Sequence, residues 1–223
     1  MSEVITFPGA SKAEAPGTPA AKDSAEVVET PRAPRAEFLG AAVEAVLFAV
    51  ESPLPFEALR QLLGGVQPEV LRAALSTLRD GYLRRGAGIR LHEVAGGYQL
   101  RTAAQARPWV AAAQGARPFR LSKAAVETLS IVAYRQPVTR AEVEDVRGVD
   151  AGGILRSLLE KQLLVVTGRK DVLGRPLIYG TTPEFLELFG LRDLSDLPTL
   201  RDLRELGRDD PRGGPIQLDF PDF

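Results

Sequence analysis

Apolar side chains recur every three to four residues along three stretches of the first half of the chain. This spacing places them on one face of an α-helix. The first stretch covers residues 38–50, the second begins at Phe56, and the third extends from Pro68 to Leu83. Prolines precede the second stretch and begin the third, which is where helices tolerate them. The pattern therefore predicts three helices in this half of the chain.

Strict alternation between apolar and polar residues follows the third helix. The runs Ile89–Val94 and 98–101 alternate on either side of Gly96-Gly97. Two such runs joined by a glycine pair are typical of a β-hairpin. A short helix is predicted next, around Trp109, and we expect this side chain and Tyr98 to fill the core.

The same order of elements recurs in the second half. An offset of 84 residues aligns apolar, proline and glycine positions, for example Pro53 with Pro137 and Gly64 with Gly148. Each half is thus predicted as helix, short strand, helix, helix, β-hairpin and helix. The predicted fold class is mainly α with small β-hairpins (α+β), arranged as two tandem winged-helix domains.

Composition divides the chain into four parts. Residues 1–35 lack periodicity and are rich in alanine, proline and polar residues, so they are predicted to form a disordered lead. Residues 36–116 and 117–191 are the two predicted domains. Residues 192–223 are predicted to be a largely disordered extension. Its last residues, 216–223, carry apolar side chains that indicate either a short docking segment or a frayed tail.

The residue types present exclude several classes of catalytic site. The chain has no cysteine and one histidine, which excludes thiolate metal sites, thiol nucleophiles and two-histidine mechanisms. It has no phosphate-binding loop. Glu142, Glu144 and Asp145 are interpreted as a solvated helix face, and His92 as a structural residue. We therefore expect no enzymatic activity, no cofactor and no metal.

The net charge and the hydropathy of the chain limit the classes of partner that we expect it to bind. The formal net charge is −1, which gives no overall attraction to nucleic acid. In the second hairpin loop, Arg169, Lys170 and Arg175 indicate either a weak contact with DNA phosphates or an exposed loop tip. No apolar stretch approaches the roughly 18 residues of a membrane span, and the chain begins without a signal sequence. We therefore expect a cytoplasmic protein with no membrane partner.

The first helix suggests a protein-binding role. Around residues 38–50, glutamate at every seventh position is the only charged residue type. So narrow a polar stripe indicates burial on two sides, or else complete burial in the domain core. Under the first interpretation, Val43, Leu47 and Val50 form the interface of a homodimer.

Several sequence runs together resemble the segregation and condensation protein B family. The second half carries the more specific runs and the first half the looser ones: Leu121–Arg140, Arg147–Val149, Gly174–Thr182, Phe185–Leu191, Leu194–Leu200, Val46–Ala49 and Val94–Leu100. The likeness covers about residues 37–203. The stretch Ala151-Gly152-Gly153 departs from the family pattern, because two glycines weaken the start of a helix. We therefore expect the third helix of this half either to start later or to pack closely against a backbone.

The resemblance implies a function without catalysis. Proteins of this family are homodimers, formed mainly through the first domains, that bind the kleisin subunit of the bacterial condensin complex. The kleisin links them to the SMC ATPase and, indirectly or weakly, to chromosomal DNA in the nucleoid. An excess of apolar residues after Pro183 indicates either a surface that binds the kleisin or packing against the first domain. Under the first interpretation, Tyr134, Arg135, Phe185 and Phe189 bind the kleisin. The alternative function is a winged-helix DNA-binding transcriptional regulator, which the fold alone favours.

Overall fold

The computed structural model describes residues 32–115 and 121–199. Most of the predicted lead, the predicted boundary at residue 116 and the final residues 200–223 lie outside this part of the chain. Residues 192–199, which we assigned to the disordered extension, contain a helical turn at Leu194–Asp196. Leu197 packs against the core of the preceding elements. Residues 192–199 thus contain regular structure and core packing, where the sequence predicted a largely disordered extension.

The first unit comprises residues 36–115. Its elements are α1 (Ala36–Ala49), β1 (Leu54–Pro55), α2 (Phe56–Leu62), α3 (Pro68–Arg84), β2 (Ile89–Val94), β3 (Gly97–Thr102), a helical turn (Ala104–Ala106) and α4 (Arg107–Gln114). The strands form an antiparallel sheet in the order β1-β3-β2. Its core is formed by side chains of α1, α2, α3 and β2, among them Val43, Leu59, Leu71, Tyr82 and Leu91.

The second unit comprises residues 121–199. Its elements are α5 (Lys123–Arg135), β4 (Val138–Thr139), α6 (Arg140–Arg147), α7 (Gly152–Glu160), β5 (Leu164–Arg169), β6 (Leu177–Thr181), α8 (Pro183–Phe189) and the turn Leu194–Asp196. The antiparallel sheet has the order β4-β6-β5. The core includes Val132, Val143, Leu155, Phe185 and Leu188. The predicted fold class, helices with small antiparallel sheets, is confirmed.

The offset of 84 residues holds from the first short strand of each unit to the start of its third helix. α3 begins at Pro68 and α7 at Gly152, which keeps the offset of 84. α7 has 9 residues and α3 has 17, so the offset falls at the following strand. The loop between β5 and β6 is longer than the turn between β2 and β3, which partly restores it. The two units therefore differ mainly in the third helix and in the hairpin loop.

The structure shows the outcome of three local predictions, which concern the first hairpin turn, Trp109 and the start of α7. The first hairpin turns at Ala95-Gly96, both with positive φ, and not at Gly96-Gly97. Trp109 does not fill the core: it is largely exposed, because α4 buries none of its residues. Helix α7 begins directly at Gly152, where a Cβ would lie 2.5 Å from the Arg140 guanidinium. The first glycine of the Gly152-Gly153 pair thus lies close to a side chain and not to a backbone, and the helix does not start later.

Helix α6 begins with a reciprocal cap. The Thr139 hydroxyl accepts a hydrogen bond from the Glu142 N–H at 3.3 Å, and the Glu142 carboxylate accepts one from the Thr139 N–H at 2.7 Å. Such a capping box satisfies two backbone donors that the helix leaves without partners. It sets the direction of α6 immediately after the short strand β4.

Replacing Thr139 by alanine is expected to lower the free energy of unfolding by about 1 kcal/mol, since an N-terminal cap contributes about that much. Chemical denaturation followed by circular dichroism measures the change. Thr139→Ser keeps the hydroxyl and should retain most of the stability. Equal stability of the alanine variant and the parent protein would contradict the role of the cap.

Candidate partner-binding surfaces

The side chains predicted to form the dimer interface lie mostly inside the first unit. Val43 and Leu47 are 0% and 1% exposed and belong to its core, and Val50 is half-buried. A side chain enclosed by its own domain has no surface left for a second chain. The structure therefore places Val43 and Leu47 in the core, which corrects their assignment to an interface.

The glutamate stripe of α1 also faces its own unit in part. The Tyr82 hydroxyl donates a hydrogen bond of 2.6 Å to the Glu44 carboxylate, and the Arg85 guanidinium lies 3.9 Å from that carboxylate. Burial, reinforced by the neighbouring carboxylate, raises the pKa of Tyr82 well above its ordinary value. The tyrosine therefore stays protonated and holds α1 against α3.

The solvent-facing side of α1 carries a second apolar surface. Phe38, Ala41, Ala45 and Phe48 follow one another at intervals of three, four and three residues, so they share one helix face. The two phenylalanines are 61% and 83% exposed. The alanines between them permit close approach of another backbone. We call these four residues the α1 stripe. The sequence also shows the i, i+3, i+7 spacing of these residues. The core residues of the same helix have a similar spacing, so the sequence does not distinguish the two faces.

The residues predicted to bind a kleisin fall into two groups. Phe185 is 2% exposed and belongs to the core of the second unit, and its ring centre lies 4.8 Å from that of the half-buried Phe189. Phe185 therefore offers no surface, which corrects its assignment. Tyr134 and Arg135 are exposed at the end of α5. The Tyr134 hydroxyl donates a hydrogen bond of 2.6 Å to the Pro198 carbonyl.

The second hairpin loop has less unbalanced positive charge than its sequence suggests. The Lys170 ammonium lies 2.5 Å from the Glu142 carboxylate, and the Arg169 guanidinium donates a hydrogen bond of 3.1 Å to the Arg175 carbonyl. The hydrogen bond from Lys170, with those from Thr139, lowers the pKa of Glu142 to about 2. The pair with Glu142 weakens the electrostatic case for a phosphate contact.

The acidic residues of α6 have structural roles. The Glu144 carboxylate accepts hydrogen bonds from the Ala151 N–H at 3.0 Å and from the Arg140 guanidinium at 2.6 Å. The same two contacts lower the pKa of Glu144. This carboxylate fixes the start of α7 to α6. Residues 32–115 and 121–199 hold no cluster of acidic residues and histidine that is suited to a metal ion.

The hydropathy of the helices is relevant to membrane insertion. None of the helices in the described part of the chain is both long and apolar enough to cross a bilayer.

Comparison with known proteins identifies the family. Residues 41–200 match the family described as segregation and condensation complex subunit ScpB. Segregation and condensation protein B of Syntrophotalea carbinolica is 51% identical over 171 residues, which are 77% of this chain and 86% of the relative. The protein of the same name from Myxococcus xanthus is 48% identical over 165 residues, which are 74% of this chain and 50% of that longer relative.

Solved structures of related proteins were also found. The crystal structure of ScpB from Mycobacterium tuberculosis is 35% identical, covers 70% of this chain and 97% of that one, and has a TM-score of 0.34. A structure described as a dimer of the ScpB N-terminal domain complexed with ScpA peptide is 27% identical, covers 34% of this chain and 95% of that one, and has a TM-score of 0.33. On the family match and the sequence identities, the chain belongs to the ScpB family of non-catalytic subunits of the segregation and condensation complex.

Proposed function

We propose that this chain forms a homodimer and, as a dimer, binds the kleisin subunit ScpA of the bacterial condensin complex. Through the kleisin it acts with the SMC ATPase in chromosome condensation and segregation, in the cytoplasm and on the nucleoid. The observation that carries the proposal is the family match over residues 41–200. We expect contact with DNA to be indirect or weak, and the pairing of Lys170 in the second hairpin loop with Glu142 supports this expectation. The pairing of Lys170 with Glu142 and the family match both argue against the alternative function, a DNA-binding transcriptional regulator.

The α1 stripe is the surface that we assign to self-association. Phe38 and Phe48 expose large apolar rings to solvent, and exposed aromatic side chains are enriched in the buried centre of protein interfaces. A symmetric dimer uses one patch twice, so the stripe of one chain can pack on the stripe of another. Val50, at the end of α1, remains a candidate for the edge of this contact.

The end of α5 is the surface that we assign to the kleisin. Tyr134 is anchored by its bond to the Pro198 carbonyl, which holds the aromatic ring in place. The adjacent Arg135 is exposed. A guanidinium next to a fixed aromatic ring suits a peptide with carboxylate and apolar side chains. Phe189 is half-buried and its ring packs against that of Phe185, so we assign it a supporting role in the packing of this unit.

The double variant Tyr134→Ala with Arg135→Ala is expected to weaken kleisin binding at least tenfold, about 1.4 kcal/mol, while the dimer persists. Isothermal titration of purified kleisin into the full chain measures the affinity, and light scattering measures the mass. Tyr134→Phe, which removes only the hydroxyl bond to Pro198, separates loss of that anchor from loss of the surface. Arg156→Ala, at another exposed arginine of the second unit, controls for the lost charge.

Parental affinity in a correctly folded double variant would contradict this kleisin surface. The first units around the dimer axis would then be the remaining candidate. Weakened binding in Arg156→Ala to the same extent would also contradict it, because the effect would then reflect net charge.

A further inference from the structure

The hairpin turn of the first unit contacts the end of the last helix of the second unit. The Ala95 N–H donates a hydrogen bond of 2.8 Å to the Leu191 carbonyl, and the Gly96 N–H donates one of 2.9 Å to the Arg192 carbonyl. Both acceptors follow Gly190, whose φ of 68° ends α8 in the left-handed conformation. Two backbone hydrogen bonds thus join the two units at this point.

A side-chain network lies beside these bonds. The Arg101 guanidinium donates a hydrogen bond of 2.8 Å to the Glu187 carbonyl and lies 3.7 Å from the Glu187 carboxylate. The Gln99 amide donates to the same carboxylate at 2.7 Å. The side chains of Arg101 and Glu187 are 10% and 17% exposed. The ion pair between the units is therefore largely shielded from water.

The network also reaches the end of α1. The Gln99 amide donates a hydrogen bond of 2.6 Å to the Glu51 carbonyl, two residues beyond the end of α1. Arg101 in turn donates a hydrogen bond of 2.7 Å to the Gln99 side-chain oxygen. One glutamine thus connects α1, strand β3 and, through Glu187, helix α8.

We propose that Gln99, Arg101 and Glu187, together with the Ala95-Gly96 turn, form a releasable latch that holds the two units in one orientation. The hydrogen bonds and the ion pair that join the units are polar, as in domain contacts that open and close. The two hydrophobic cores share no residue, so each unit remains folded when the latch opens. Loss of one charge leaves the other shielded from water without its counter-charge, so a single substitution should shift the latch toward the open form.

The latch has a consequence for partners of this chain. A ligand that binds the Ala95-Gly96 turn must first displace the carbonyls of Leu191 and Arg192. Such a ligand would bind the open form and shift the population toward it. The latch does not depend on whether the α1 stripe forms the dimer interface.

The test measures the distance between the units in the full chain. Because the chain has no cysteine, the double variant Ser76→Cys with Ser157→Cys carries the only two thiols. Both positions are exposed, one on α3 and one on α7. Spin-labelled chain is mixed with an excess of unlabelled chain, and double electron–electron resonance then reports distances within one molecule.

The latched protein should give one narrow distance distribution. Glu187→Ala, made in the labelled background, should broaden it at least about twofold, because the two units then sample further orientations. Arg101→Met, which keeps the length of the side chain and removes its charge, should have the same effect. Arg60→Ala removes an exposed pair with Glu57 within the first unit and should leave the distribution unchanged.

Three results would overturn the latch. One is an unchanged distribution in both latch variants when circular dichroism shows them folded. Another is a parent distribution that is already as broad as that of the variants. The third is loss of cooperative unfolding of either unit in both variants, because the residues would then support a core and not an orientation.

Discussion

Alanine at position 97 is expected to destabilise the first unit by about 3 kcal/mol, which is large for one added methyl group. Gly97 begins β3 and pairs with Pro55 of β1. A Cβ at this position would lie 2.8–2.9 Å from the backbone C, N and O atoms of Leu54. A backbone cannot rotate away as a side-chain tip can, so β1 must move and its pairing with β3 must weaken.

The same substitution elsewhere in the first unit should have the opposite sign. Gly81 lies within α3, and a Cβ there would meet nothing within 4 Å. Gly81→Ala is therefore expected to stabilise the unit by about 0.5–1 kcal/mol, since glycine is a poor helix former. Urea unfolding followed by circular dichroism measures both variants. If Gly97→Ala unfolds at the parent's urea concentration, the close approach of β1 to Gly97 is contradicted.

Local sequence signals were sufficient to predict the order of elements. Pro68 and Pro183 occupy the first turn of α3 and α8, and Ser122 caps α5 through the Ala125 N–H. Gly148 ends α6 in the left-handed conformation. Each signal acts within about four residues of its position, so a single sequence is enough to find it. The family resemblance, carried mainly by runs in the second half, is confirmed by the comparisons.

Contacts between residues that are far apart in the chain determine the features that local sequence patterns did not predict. The approach of β1 to Gly97 leaves no room for a Cβ and places this glycine in the strand, so the turn falls at Ala95-Gly96. Periodicity showed that Phe185 lies on an apolar face, but not that this face packs into the second unit. The Tyr134 hydroxyl is bonded to a carbonyl 64 residues away, which no local pattern reports.

Helix α1 shows most clearly that a local pattern does not predict which face of a helix packs into the core. It has two apolar faces, one with Val43 and Leu47 and one with Phe38 and Phe48. Helical spacing identifies both faces but does not show which one meets the core. The packing of α1 on α3, held by the bond from Tyr82 to Glu44, settles the choice. The α1 stripe is the face that we propose for contact with a second chain.

The double variant Phe38→Glu with Phe48→Glu is accordingly expected to convert the dimer to a folded monomer. Burial of a phenylalanine side chain contributes about 1.5–3 kcal/mol, and a symmetric dimer buries each residue twice. Loss of at least about 3 kcal/mol weakens self-association at least about 100-fold. The added carboxylates also repel one another across the twofold axis. Light scattering and sedimentation over a range of protein concentrations measure the change.

Two further variants make the dimer prediction specific to the stripe. Val70→Glu places a carboxylate at an exposed apolar position in the first turn of α3, where the helix dipole favours it, so the dimer should persist. Val43→Glu places a charge in the core and should abolish folding of the first unit instead of yielding a folded monomer. A folded Phe38→Glu, Phe48→Glu protein that keeps the dimer mass would show that self-association uses another face, and a folded monomer from Val43→Glu would return the interface to the side of α1 that packs on α3.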